Sequence, residues 1–224
     1  SLVVVYLLCF FVGPLSLLRE GLAAAADVYK GKSLLSPRCA ILMNPGKILR
    51  KGESDLHRLF YQAMNIPVIG QVTGDATCEA GDTLWLDDKT LLIGRGYRTN
   101  QAGVTQMQSM LGNQGINVLA FDLPCYQGEQ ACLHLMSLIS LLAEDLALVH
   151  KVLLPVALAQ LLISRGIELL EAPTDEFEAS GGLNLNVLTL APRQVVAIDG
   201  YDQTLSLMHN AGCKIDIFSG DSLC

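Results

Sequence analysis

Two carboxylates, a guanidinium and an imidazole stand in three short runs of this chain. Glu79 and Asp82 lie in Glu79-Ala-Gly-Asp82, Arg98 in Arg98-Thr-Asn100, and His134 in His134-Leu-Met-Ser137. A carboxylate accepts two N–H groups side by side. An imidazole gives and takes a proton near neutral pH. Asp82, His134 and Asn186 are spaced at equal intervals of 52 residues. In a radial repeat such positions converge, so an acid, an imidazole and an amide would share one polar cleft. Each residue also has a plain reading. Asp82 after Gly81 can cap a turn, Glu79 can be solvated, and Arg98 can pair with a surface carboxylate. His134 stands in an apolar run, where a satisfied core histidine is common.

The elements that would carry these residues recur in one order. Thr83–Leu86 and Thr90–Gly94 are apolar runs about Asp87-Asp88-Lys89 and read as a hairpin. A helix over Gln101–Leu111 and a strand over Asn117–Phe121 follow. The order returns as strands over Leu133–Ser140 and Leu146–His150, a helix over Pro155–Arg165, and a strand over Ile167–Leu170. It returns again as strands over Asn186–Leu190 and Val195–Ile198, a helix over Gln203–Asn210 stopped by Gly212, and a strand over Lys214–Phe218. A partial unit precedes them: a strand over Ala40–Met43, a helix over Glu53–Met64 and a strand over Val68–Gly70, with its first strand expected to be missing. Repetition at a period of about fifty residues predicts an α/β propeller, strands inside and helices outside. The hairpins argue against the alternative, a doubly wound α/β sheet.

The chain has 224 residues, is 51% hydrophobic, and carries a formal charge of −7. That suffices for a sizeable core in one domain, 1–224. No basic run or basic–aromatic stripe appears, so a nucleic-acid partner is not expected. The seven cysteines are odd in number and irregular in spacing, which argues against a disulfide scaffold and favours a reduced, cytoplasmic setting. Ser1–Leu18 is uncharged and near the lower length of a membrane span. It reads as a buried strand over Leu2–Val12 and an amphipathic helix from Pro14; a membrane anchor over 2–18 is the alternative.

From about Cys39 onward, these residues resemble the guanidino-group-modifying superfamily, the pentein fold of five strand–strand–helix–strand repeats. Its members include dimethylarginine dimethylaminohydrolases, arginine deiminases and glycine amidinotransferases. Glu79-Ala-Gly-Asp82 matches the family's acidic Glu/Asp-Gly-Gly-Asp element, with Ala80 replacing the first glycine. Gly94-Arg-Gly-Tyr-Arg98-Thr-Asn100 matches the glycine and Arg-Thr-Asn element, and His134-Leu-Met136-Ser137 the histidine segment. Deiminases and amidinotransferases carry an aspartate two residues after that histidine. Met136 places this chain nearer the dimethylaminohydrolases.

The resemblance implies a small-molecule guanidino substrate, arginine or a methylated arginine, and neither cofactor nor metal. It implies Glu79 and His134 as catalytic residues and Asp82, Arg98 and Asn186 as substrate-binding residues, with Arg98 on the substrate carboxylate. A guanidinium is a poor electrophile with a pKa above about 12. A thiolate would attack its central carbon, and His134 would protonate the departing amine and then activate water. Residues 1–38 depart from the family's beginning. The nucleophilic cysteine is expected one repeat on, so that Cys224 would align before it, and Cys78, Cys125 and Cys132 are poorly placed. The expectation is therefore a citrulline-forming amidinohydrolase, incomplete at about three full repeats plus a partial one, and inactive as given. The alternatives are an amidinotransferase and a silent arginine-binding protein. A homo-oligomer is left open.

Overall fold

The computed structural model describes residues 33–35, 39–46, 53–129 and 133–220. The N-terminal strand and helix, the membrane-anchor alternative, Cys132 and Cys224 lie outside the described residues. Among those described, no helix is long and apolar enough to cross a membrane.

Among the described residues, twelve strands form four separate three-stranded sheets. The strands are β1 Ser33–Leu35, β2 Ala40–Leu42, β3 Val68–Gln71, β4 Thr83–Asp87, β5 Thr90–Arg95, β6 Asn117–Asp122, β7 Ile139–Ala143, β8 Leu146–Val149, β9 Glu168–Glu171, β10 Leu188–Ala191, β11 Gln194–Ile198 and β12 Lys214–Phe218. Each sheet has one plan. The first two strands pair antiparallel, and the third returns through a helix to lie parallel to the second. A parallel return needs a crossover. The crossovers are α1 Glu53–Ala63, α2 Gln101–Gly112, α3 Val156–Ser164 and α5 Asp202–Asn210. The central strands β5 and β8 lie between two neighbours with both faces covered, which is why Leu91-Leu-Ile and Leu146-Ala-Leu-Val are unbroken apolar runs.

The expected repeat is present, with corrections. The first strand of the first unit is not missing: Ser33–Leu35 pairs with Ala40–Leu42, and Ser33 Oγ bonds the Tyr61 hydroxyl of α1 at 2.6 Å. Three residues gave too short an apolar run to stand out. The strand expected over Leu133–Ser140 begins only at Ile139. Its start is a 3-10 turn, Leu135–Ser137, and equivalent turns at Ala80–Asp82 and Leu183–Leu185 precede β4 and β10. A further helix, α4 Thr174–Ser180, separates the last two units. Acidic Asp175 and Glu176 suit its first turn, and Gly181 ends it at φ 62°.

Neighbouring units are stitched through their hairpins. Thr189 Oγ donates to the Leu141 carbonyl at 2.6 Å, and the Arg193 N–H to that of Leu142 at 2.8 Å. One core, including Leu135, Leu138, Leu148, Leu158, Phe177, Val195 and Met208, runs through the last two units, and a second, including Ile41, Leu91, Ile93, Val104 and Met107, joins the first two. The 3-10 turns, packed against one another, bring Glu79, Asp82 and His134 together.

Candidate active site

Glu79 immediately precedes the first 3-10 turn and Asp82 ends it; His134 immediately precedes the second. Both carboxylates are 1% exposed. Asp82 Oδ1 lies 2.9 Å from His134 Nδ1 and accepts the Leu135 N–H at 3.3 Å. Asp82 Oδ2 accepts the Thr99 hydroxyl at 2.6 Å. With both oxygens accepting, Asp82 acts as a carboxylate, so the His134 Nδ1 carries a proton. Its Nε2 then faces Glu79 Oε2 at 3.8 Å. The other Glu79 oxygen accepts the Gly46 N–H at 3.2 Å and lies 3.5 Å from Arg98 Nη1.

Local sequence explains this geometry. The His134 ring lies over Gly81, where an added Cβ would stand 3.1 Å from the ring's Cγ. A glycine is therefore needed at that position, whereas Ala80 is accommodated fully buried in the turn. Arg98-Thr-Asn100 divides its work by residue. Arg98 pairs with Glu79. Thr99 accepts the Glu79 N–H at 3.1 Å and bonds Asp82. Asn100 caps α2 by accepting the Gly103 N–H at 2.8 Å, and it accepts the Thr77 N–H at 3.1 Å. The loop leading into Glu79 is thus anchored to the start of α2.

The structure joins Glu79, Asp82, Arg98 and His134 into one cluster. Among the described residues no hydrogen bond links Asn186 to it; Asn186 ends the third 3-10 turn, its N–H donating to Leu183 at 3.0 Å. The 52-residue spacing does not mark equivalent positions. The shared register break of the hairpins runs from Trp85 to Leu141, 56 residues, and from Leu141 to Thr189, 48 residues. The residues preceding the three turns are Glu79, His134 and Gly182. Asp82 and His134 meet because two turns abut, and 52 is only the mean of those two unequal intervals. Sequence reasoning missed Thr99. Its signal was its place inside the Arg-Thr-Asn run.

The described cysteines are Cys39, Cys78, Cys125 and Cys213. Cys78 lies closest in sequence to Glu79. Burial, then the Asp82 carboxylate, push its thiol up to about 12 against the bond from Thr99. It is a protonated core thiol, a poor nucleophile. Burial also raises Cys213. Cys125 is exposed, its Sγ 3.5 Å from the Tyr97 hydroxyl.

The chain is similar to known proteins in sequence and in fold. The family model described as arginine deiminase matches residues 40–168, more than half of the chain. An N(G),N(G)-dimethylarginine dimethylaminohydrolase of Pseudomonas aeruginosa is 32% identical over 84 residues, 38% of this chain and 33% of that protein. The chain thus matches about a third of that relative's length. Among solved structures, dimethylarginine dimethylaminohydrolase from Pseudomonas aeruginosa, as a cysteine-to-serine mutant complexed with citrulline, superposes with a TM-score of 0.68 at 23% identity, covering 87% of this chain and 69% of that one. The N-terminal domain of ArgZ, a cyanobacterial arginine dihydrolase bound to its product, gives 0.70 at 15% identity, covering 89% and 70%. The amidinotransferase SxtG of Microseira wollei gives 0.67 at 18% identity, covering 84% and 63%. These likenesses show the pentein fold. Together with the family match, they place this chain in the arginine deiminase family of guanidino-group-modifying proteins.

Proposed function

We propose that this chain carries the guanidinium-holding and proton-transfer half of an amidinohydrolase acting on arginine or a methylated arginine, with citrulline as product. The observation that carries this reading is the line Asp82–His134–Glu79. A buried carboxylate orients one ring nitrogen, and the other nitrogen looks onto a second buried carboxylate at 3.8 Å. A planar cation on Glu79 would present an N–H edge to Oε2, next to His134 Nε2. As imidazolium, stabilised by Asp82, His134 donates a proton to the departing amine there. As neutral imidazole it then takes a proton from the water that cleaves the S-alkylthiouronium, releasing the thiol and the urea product. Arg98 neutralises Glu79 when no substrate is bound, and in this reading it turns to the substrate carboxylate. Met136, buried in the second turn, stands where deiminases and amidinotransferases carry an aspartate, which sets this chain nearer the dimethylaminohydrolases.

The nucleophile in this reading is a cysteine other than Cys39, Cys78, Cys125 and Cys213. The 224-residue chain is expected to bind arginine, and to release little or no citrulline unless Cys9, Cys132 or Cys224 reaches the site. Calorimetry with arginine tests the site directly. Glu79→Gln should weaken binding about 10- to 100-fold, as a lost charge-assisted bond of roughly 1.5–3 kcal/mol implies. Unchanged affinity would overturn the site. Robust citrulline release by the chain would overturn its inactivity.

A further inference from the structure

We propose that Thr99 is a positioning residue whose hydroxyl, held between Glu79 and Asp82, fixes the tautomer of His134. Thr99 is completely buried. Its Oγ accepts the Glu79 N–H at 3.1 Å. A backbone N–H can only donate, so the single hydroxyl proton is directed to Asp82 Oδ2 at 2.6 Å. That bond sets the rotation of the carboxylate. The remaining oxygen, Oδ1, then lies in line with both the Leu135 N–H and His134 Nδ1. The hydrogen bonds run in one direction, from the Glu79 amide through Thr99 to Asp82, and they leave His134 no role but that of donor at Nδ1. Nε2 is thereby kept for chemistry. The same hydroxyl ties down the backbone of Glu79, so the two carboxylates keep their places relative to the ring.

Two effects of removing the hydroxyl oppose each other. Losing a donor leaves Asp82 more basic, which would strengthen its hold on an imidazolium. Losing the orientation lets the carboxylate turn and weakens that hold. The proposal requires the second to win. The test is nitrogen NMR of the imidazoles in the full-length chain. There are four histidines, and His134 is assigned by the resonance lost in His134→Gln. In the wild type and in Thr99→Ser, His134 should show the Nδ1–H tautomer. In Thr99→Val, that preference should be lost and the titration midpoint should fall by about 0.5 to 1 pH unit. A midpoint in Thr99→Val that is unchanged or raised, with the tautomer intact, would overturn the proposal. Should Thr99→Val not fold, the wild-type hydroxyl proton itself decides. A slowly exchanging Thr99 hydroxyl resonance close to the Glu79 amide is expected, and a freely exchanging one would refute the assignment. The inference uses the role given to His134 above, but this measurement needs neither turnover nor arginine. It can therefore fail while the proposed function stands.

Discussion

At the scale of single residues, the site is decided by what each side chain is denied. Glu79 and Asp82 are denied water, so their partners are N–H, O–H and cationic groups chosen by the fold. His134 is denied a Cβ beneath its ring at Gly81. Gly81→Ala should displace the imidazole by a few tenths of an ångström, because 3.1 Å is tighter than an ordinary contact. We expect a protein that stays folded, with a changed His134 ring resonance and weaker arginine binding; an unchanged resonance would show that the ring has slack. Cys78 offers a second check. An unfolded thiol ionises near 8.5, whereas the native Cys78 thiol is held to about 12. Its contribution to stability is therefore full below the unfolded value and is lost as pH rises toward the native one. At about pH 8 a thiol reagent should label Cys125 before Cys78, with Cys78 reacting only on unfolding. Early labelling of Cys78, located by peptide mapping, would contradict its placement. Glu79, Asp82, Arg98 and His134 were legible as candidates because their short runs resemble a family's motifs, whereas singly each has a plain reading. Thr99 was not, because a threonine in a strand-rich chain is ordinary until its partners are known.

At the scale of elements, the strand–strand–helix–strand plan was readable because its apolar periods differ by element and its stops are glycines. Gly212, at φ 85°, ends α5 as expected. Short elements were not readable. A three-residue strand and three-residue 3-10 turns are below the length at which periodicity speaks. α2 shows how an element serves the site. Gly103 lies in its first turn despite costing about 1 kcal/mol of helix propensity. An added Cβ there would stand 2.0 Å from the Thr77 carbonyl oxygen, which is backbone and cannot yield cheaply. Gly103→Ala should therefore destabilise the chain by about 2–3 kcal/mol, although alanine is the better helix former. Urea unfolding measures this. A stabilised variant would mean that α2 does not press on the loop before Glu79.

At the scale of the whole molecule, the last two units are joined about His150 and Phe177. The rings stack at 3.8 Å and 5°, and His150 is 3% exposed with Nδ1 lacking a partner among the described residues. Burial lowers its pKa below the ordinary histidine value, against the opposing pull of Glu171 and Glu178. The native state thus prefers the neutral ring. The resulting stability is present above the unfolded value of about 6.5 and is lost as pH falls through the lowered native value. Melting temperature should fall more steeply from about pH 7 to about pH 5 in the wild type than in His150→Phe, which stacks but does not titrate. Parallel curves would show that His150 charges without cost. The sequence by itself determined the repeat, the order of elements and a candidate set of polar residues, because periodicity, turn chemistry and residue type are local properties. Only the tertiary structure decided which positions are equivalent. It made Glu79, His134 and Gly182 the residues that precede the three turns, where equal counting had matched Asp82, His134 and Asn186. The reason is physical: turns meet where packing places them, and loop lengths between them are free to differ.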